Sequence, residues 1–216
     1  LDSFSNLCKN VGFDAIVHLA GVVGGIGFNV NNQGKLLYHN LQMGMNVLTV
    51  AKENNISKVI MLGTTCSYPC VPKTIPFVED ELFDGMPELT NSGYGIAKRT
   101  LVKMGMEYSK QYGMKVVNLI PTNMFGEHDH FEEEKSHVIP ALIKKFESAR
   151  FDSSRPGGVV NVWGTGSASR DFLYVGDCGR AIATALEKDI GPEPINLGTG
   201  RETTIKSLTE TINKMG

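Results

Sequence analysis

The chain has 216 residues, 41% hydrophobic and 20% charged, with a formal net charge of −2. That describes an ordinary globular protein of one domain with a lobe, or one and a half domains, and gives no reason to expect a nucleic acid or an acidic membrane surface as partner. No apolar run approaches the ~18 residues of a membrane span, and no signal peptide opens the sequence. Cys8, Cys66, Cys70 and Cys178 are scattered, with neither a disulfide framework nor a paired zinc spacing. A reducing cytoplasm is their simplest home. Both ends read as cut. Leu1-Asp2-Ser3-Phe4 begins without Met in a short helix, and a helix from Thr204 to Met215 stops at Gly216.

Asp14 to Ala20 is an apolar run of strand length, of the kind buried on both faces of a parallel sheet. It ends in the glycine-rich stretch from Gly21 to Gly27. The stretch does not read as a first phosphate loop, because Phe28 to Asn32 do not open an immediate helix and no isolated acidic residue closes a following strand. The glycines are expected to let backbone pass close to a ligand. Leu36 to Asn54 carries the apolar stripe of a helix. Lys58 to Gly63 is the next buried strand, breaking into Thr64-Thr65-Cys66-Ser67-Tyr68-Pro69 at the carboxyl edge of the sheet, where ligands bind in open α/β folds. The Pro-rich segment from Val71 to Pro87 has the length of a functional loop.

Tyr94 and Lys98 stand four residues apart at the start of a helical run that extends to about Gln111. Positions i and i+4 share a helix face, so phenol and ammonium can serve one site. A nearby cation favours the phenolate, which would give a proton donor or acceptor for a carbonyl or alcohol. The spacing alone is weak, since an ordinary helix with a half-buried Tyr and a solvated Lys shows the same pattern. Lys115 to Ile120 is a third strand, ending in Pro121-Thr122-Asn123-Met124-Phe125-Gly126. His137 and Pro140 lie at the start of a helix that runs to about Ser148. Val159 to Trp163 and Arg170 to Val175 read as short strands. A helix to about Lys188 follows, with Gly176 or Asp177 as its cap, and then the strand Ile195 to Leu197. Strand and helix alternate, which argues an α/β fold with a parallel sheet wrapped by helices. His128-Asp129-His130 with Glu132, Glu133 and Glu134 reads as a solvated loop, because its spacing matches no closed metal site.

Gly63-Thr64-Thr65-Cys66, Tyr94-x-x-x-Lys98, Pro121-Thr122-Asn123 and Arg170-Asp171-Phe172-Leu173-Tyr174-Val175-x-Asp177 resemble the extended short-chain dehydrogenase/reductase family of nucleotide-sugar enzymes. The more specific runs, Val23-Gly24-Gly25-Ile26, Thr65 to Pro69, Pro121 to Gly126 and Ser136 to Pro140, are similar to its GDP-sugar epimerase/reductase branch. The resemblance covers nearly the whole chain. It implies a Rossmann-like doubly wound parallel sheet with a smaller substrate-binding lobe. Residues 1–126 and about 171–190 would form an incomplete dinucleotide-binding domain, and about 127–170 and 191–216 part of the lobe. The family's amino-terminal glycine loop should lie much further before Tyr94 than Gly21 does. The first strand, the pyrophosphate loop and the segment that chooses NADP over NAD are therefore expected to fall outside this sequence, and the lobe to continue beyond Gly216.

The resemblance also implies roles. The substrate would be a GDP-4-keto-6-deoxy sugar, epimerised at C3 and C5 and reduced at C4 with NADPH. Cys66 and His137 match the family's base and acid for epimerisation. A lone Cys is more commonly a small buried core residue, and a helix-start His is often only bonded to backbone. Tyr94 would protonate the C4 oxygen, Thr64 would share that oxygen, and Lys98 would hold the nicotinamide ribose and keep Tyr94 acidic. Thr64 stands where the family more usually has Ser. Leu62, Gly63, Thr64, Thr65, Lys98, Pro121, Thr122, Asn123, Met124 and His137 match positions lining NADP(H). Lys145, Trp163 and Arg170 match positions on the GDP-sugar, Arg being suited to a diphosphate by its planar fork. A homodimer with a four-helix contact is implied as well. The rival readings are a reductase alone, an enzyme of another GDP-deoxysugar or heptose, and a non-catalytic assembly subunit.

Overall fold

The computed structural model describes residues 2–132, 136–151 and 158–215. Helix α1 (Asp2–Val11) leads into strand β1 (Ala15–His18), and α2 (Ile26–Asn31) and α3 (Gln33–Glu53) precede β2 (Lys58–Leu62). Helix α4 (Ser92–Tyr112) crosses to β3 (Lys115–Pro121). Then come β4 (Asn123–Phe125), α5 (Val138–Arg150), β5 (Ser169–Arg170), β6 (Phe172–Tyr174) and α6 (Val175–Glu187). The last elements are β7 (Pro194–Leu197), β8 (Thr203–Thr204) and α7 (Ile205–Met215).

Four strands make one parallel sheet in the order β1-β2-β3-β7. Successive side chains in a strand point to opposite faces. In β2, Val59 and Met61 enter the core with Leu48, Val50 and Leu101 of α3 and α4, whereas Ile60 and Leu62 join Ile182 and Ala185 of α6 on the other face. Both faces are covered, which is why these strands read as continuous apolar runs. Helices α3 and α4 approach closely at Gly44, where a Cβ would stand 2.4 Å from Leu101 Cδ1. Helix α4 ends at Gly113, whose φ of 67° is the left-handed conformation glycine adopts freely. Beside the main sheet, β4 pairs with β6 in parallel, β5 pairs with β8 antiparallel, and α5 packs on α7.

Five expectations change. Residues 26–31 are helical, so the glycine stretch does run directly into a helix. Two of its asparagines bond back along the segment, Asn31 Nδ2 donating to Gly27 O and Asn32 Nδ2 to Phe28 O. Val159 to Trp163 forms no strand; Val159 and Trp163 are 76% and 83% exposed, so their β propensity has nothing to pack against. The strand expected from Arg170 to Val175 is split into β5 and β6 at Asp171, which is committed to other loops. Neither Gly176 nor Asp177 caps α6: the helix begins at Val175, and Asp177 lies in its first turn, paired with Arg180. Residues 194–197, grouped by sequence with the lobe, are the fourth strand of the main sheet. Glu133 and Glu134 of the acidic run, and residues 152–157, lie outside the described residues.

Candidate active site

The site gathers at the carboxyl ends of β1, β2 and β3. Strand β2 ends at Leu62, and Gly63 N bonds Leu119 O at 2.7 Å, holding the chain beside β3 as it leaves the sheet. A Cβ at Gly63 would come within 3.1 Å of Ile120 Cγ1. Residues 65–67 then make one turn of 3₁₀ helix, capped by Thr64 Oγ1 accepting from Cys66 N at 3.2 Å. The turn rests on α4. Ser67 Oγ donates to Gly95 O at 3.1 Å, and a Cβ at Gly95 would lie 2.3 Å from Cys66 O. Only glycine lets the helix come this close, so the residue after Tyr94 fixes how near Cys66 sits.

The start of α4 has no cap of its own. Gln33 of α3 supplies the missing acceptor: its Oε1 takes the Gly93 N–H at 2.6 Å, and its Nε2 donates to Thr90 O at 2.6 Å. Asn29 accepts from Gly24 N and donates to Asn91 Oδ1, joining the glycine stretch to the same helix start. Asn40 does likewise for Val22, accepting from its N–H and donating to its carbonyl. A Cβ at Gly21 would meet the Asn40 and Lys98 side chains and one at Gly24 the Phe28 ring, whereas Gly27 faces open space.

Lys98 is buried, its ammonium donating to Leu62 O at 3.0 Å and standing 5.9 Å from the centre of the Tyr94 ring. Burial lowers its pKa to about 8. Its effect on Tyr94 differs from the sequence expectation: burial first, and the Cys66 thiol second, push the Tyr94 hydroxyl above its ordinary range. The cation is aimed at the Leu62 carbonyl, and at that distance from the ring it does not offset desolvation. Cys66 also departs from expectation. Burial pushes its thiol up, while the Thr64 bond and the positive Arg170 pull the other way and lose. Beside Lys98 stands His18, the last residue of β1, only 5% exposed, with Nε2 unpartnered among the described residues. Burial and the adjacent Lys98 lower its pKa to about 4, so it is a neutral imidazole at pH 7.

A model of the NAD dependent epimerase/dehydratase family matches residues 1–198. The chain belongs to that family. It is 39% identical over 202 residues to GDP-L-colitose synthase of Yersinia pseudotuberculosis, an alignment covering 93% of this chain and 64% of the relative. It is 36% identical over 211 residues to GDP-L-fucose synthase of Escherichia coli, covering 94% and 64%. It therefore spans a little under two thirds of the length of both curated relatives. Among solved structures, a GDP-L-fucose synthetase of Naegleria fowleri bound to NADP superposes with a TM-score of 0.87 at 30% identity, over 99% of this chain and 64% of that one.

In this epimerase/dehydratase-family chain, Leu62, Gly63, Thr64, Thr65, Cys66, Tyr94 and Lys98 come together as one cluster. Pro121, Thr122, Asn123 and Met124 follow on from the adjacent strand β3. Thr122 N bonds Leu197 O, while its Oγ1 is buried and unpartnered among the described residues. That hydroxyl, and a Lys98 ammonium with two donors beyond its Leu62 bond, fit a polar cofactor edge such as a ribose. Met124 is 40% exposed. His137 stands exposed before α5, and among the described residues its backbone carbonyl accepts from Ala141 N and Ser136 Oγ. Lys145 and Trp163 pair with each other, with the ammonium 5.0 Å over the indole and bonded to Asn161 O at 3.1 Å. Arg170 is exposed and donates to Ser169 O at 2.6 Å. Sequence reasoning missed His18, Asn40, Arg99 and the anchoring role of Asp171. For His18 a signal existed, a polar residue at the carboxyl end of an apolar strand. For the others the partners are remote in sequence.

Proposed function

We propose that this protein is an NADPH-dependent GDP-4-keto-6-deoxy-mannose 3,5-epimerase/4-reductase, the activity of a GDP-L-fucose synthase. The observation that carries the reading is the seating of the Thr64–Cys66 turn on the helix that bears Tyr94 and Lys98. This places two hydroxyls, a thiol and an ammonium at one sheet edge. The names of the relatives supply the GDP-sugar, and the NADP-bound neighbour supports the cofactor.

Thr64 and Tyr94 hydrogen-bond the C4 oxygen and stabilise the negative charge that grows there when a proton leaves C3 or C5. Cys66 takes that proton as thiolate, and His137 returns one from the opposite face. Bound NADPH supplies the hydride for C4. Tyr94 then gives its proton to the C4 oxygen, and its raised pKa keeps that proton available at neutral pH. Lys98, with Leu62, Gly63, Thr65 and Pro121 to Met124, holds and orients the nicotinamide end. Lys145, Trp163 and Arg170 hold the GDP-sugar. The same reading includes a cytoplasmic setting and a homodimer built on α3 and α4, where Tyr38 and Met45 are exposed.

The elevated Cys66 thiol favours a second reading, a reductase that does not epimerise. Incubation of the full-length protein with GDP-4-keto-6-deoxy-mannose and NADPH in heavy water separates the two. Loss of NADPH with deuterium at C3 and C5 is the expected result. Loss without deuterium selects the reductase. NADPH binding with neither signal overturns the sugar assignment, and no NADPH binding moves the protein to a non-catalytic role.

A further inference from the structure

Arg99 follows Lys98 on α4 and faces away from the reacting groups. It is only 8% exposed, and burial lowers its pKa. Among the described residues no carboxylate pairs with it. Its guanidinium is spent on main-chain carbonyls: Nε donates to Ser67 O at 2.7 Å, Nη2 donates to the same oxygen, and Nη1 donates to Gly85 O at 2.5 Å. Keeping a cation out of water without a counter-ion is costly, and hydrogen bonds from its donors offset that cost. Here three of them join three pieces of chain: α4, the turn that carries Cys66, and the end of the long segment from Val71 to Pro87. Ser67 O is one residue from Cys66, and Ser67 Oγ bonds Gly95 O on the same helix. The turn is thus fastened to α4 by Arg99 on one side and by the Gly95 contact on the other.

We infer that Arg99 is a positioning residue that fixes the Thr64–Cys66 turn relative to Tyr94 and couples it to the segment from Val71 to Pro87. The inference rests on the reading of that turn as part of the active site, although the placement itself can be measured without a substrate. The planar fork is what the task requires. A lysine carries the same charge to a single point and cannot span Ser67 O and Gly85 O together.

The test uses a Cys70→Ser background, because Cys70 is the exposed thiol while Cys8 and Cys178 are buried. Iodoacetamide labelling of Cys66 is followed by peptide mass. In Arg99→Lys the turn opens more often, and Cys66 is labelled faster by about tenfold or more. Lys103→Gln, on the same helix and paired with Glu107 at the surface, leaves the rate unchanged. In turnover assays Arg99→Lys lowers kcat with KM held within about twofold, the pattern of a displaced group rather than a lost substrate contact. A folded Arg99→Lys protein with the parent labelling rate overturns the inference. Where Arg99→Lys fails to fold, Arg99→Gln takes its place, and failure of both to fold overturns it by making Arg99 a folding residue. A faster-labelled variant whose parent shows no turnover leaves the positioning intact and refutes the enzymatic reading instead.

Discussion

At the residue scale, the site depends on what burial does to four titratable groups. Tyr94 keeps its proton, Lys98 is brought to about 8, Cys66 is raised, and His18 is neutral. Tyr94→Phe removes the hydroxyl proposed to serve the C4 oxygen and leaves the ring in place. We expect NADPH consumption to fall roughly 100- to 10,000-fold with an unchanged circular dichroism spectrum; near-normal turnover would remove Tyr94 from the mechanism. His18 gives a pH dependence. Its pKa is 6.5 in the unfolded chain and about 4 when folded, so between those values only the unfolded chain binds the proton, and stability rises with pH. The cost of acidification from pH 6.5 to 4 reaches up to about 3 kcal/mol. Urea midpoints at pH 4.5 and 7 should differ by less in His18→Asn than in the parent; an identical difference would place the acid sensitivity elsewhere.

At the element scale, the relation of α4 to its neighbours is set by close approaches that only glycine permits. Gly95 and Gly44 make contrasting tests. A Cβ at Gly95 meets the Cys66 carbonyl at 2.3 Å, a backbone atom that cannot swing aside, whereas a Cβ at Gly44 meets the tip of the Leu101 side chain. Alanine gains about 0.5–1 kcal/mol of helix propensity at either position. We expect Gly95→Ala to lose about 1–3 kcal/mol net through overpacking and to abolish turnover, while Gly44→Ala changes stability by less. Denaturant midpoints of the two variants decide it, and the reverse order would contradict the packing described. The sequence showed α4 and its Tyr–Lys face through apolar periodicity. It could not show that Gln33 caps the helix from 60 residues away, because that bond exists only once α3 and α4 lie side by side.

At the scale of the whole molecule, Asp171 ties the sheet to the smaller group of elements. Its carboxylate accepts from Thr199 N, Thr199 Oγ1 and Gly200 N, and its carbonyl accepts from Asn123 N and Nδ2. The loops after β3 and β7 are thereby held next to Arg170. Asp171→Ala leaves those N–H groups without their charged acceptor. It should cost about 1–3 kcal/mol and weaken GDP-sugar binding along with thermal stability. A melting temperature and a dissociation constant both equal to the parent's would show that the loops hold without it. Among the described residues no helix is long and apolar enough to cross a membrane.

The sequence by itself determined the parallel sheet, its first three buried strands and the helix carrying Tyr94 and Lys98. Strands covered on both faces must be apolar throughout, and a helix with one buried side must repeat near 3.6 residues. It also contained the runs that place the chain in its family. Only the tertiary structure decided the protonation of the site, because desolvation depends on what closes over a group and not on its neighbours in sequence. The same holds for the helix after Gly25, the loss of the strand at Val159 to Trp163 and the seating of Cys66 on Gly95. Each is settled by a contact between segments far apart in the chain, which local pattern does not encode.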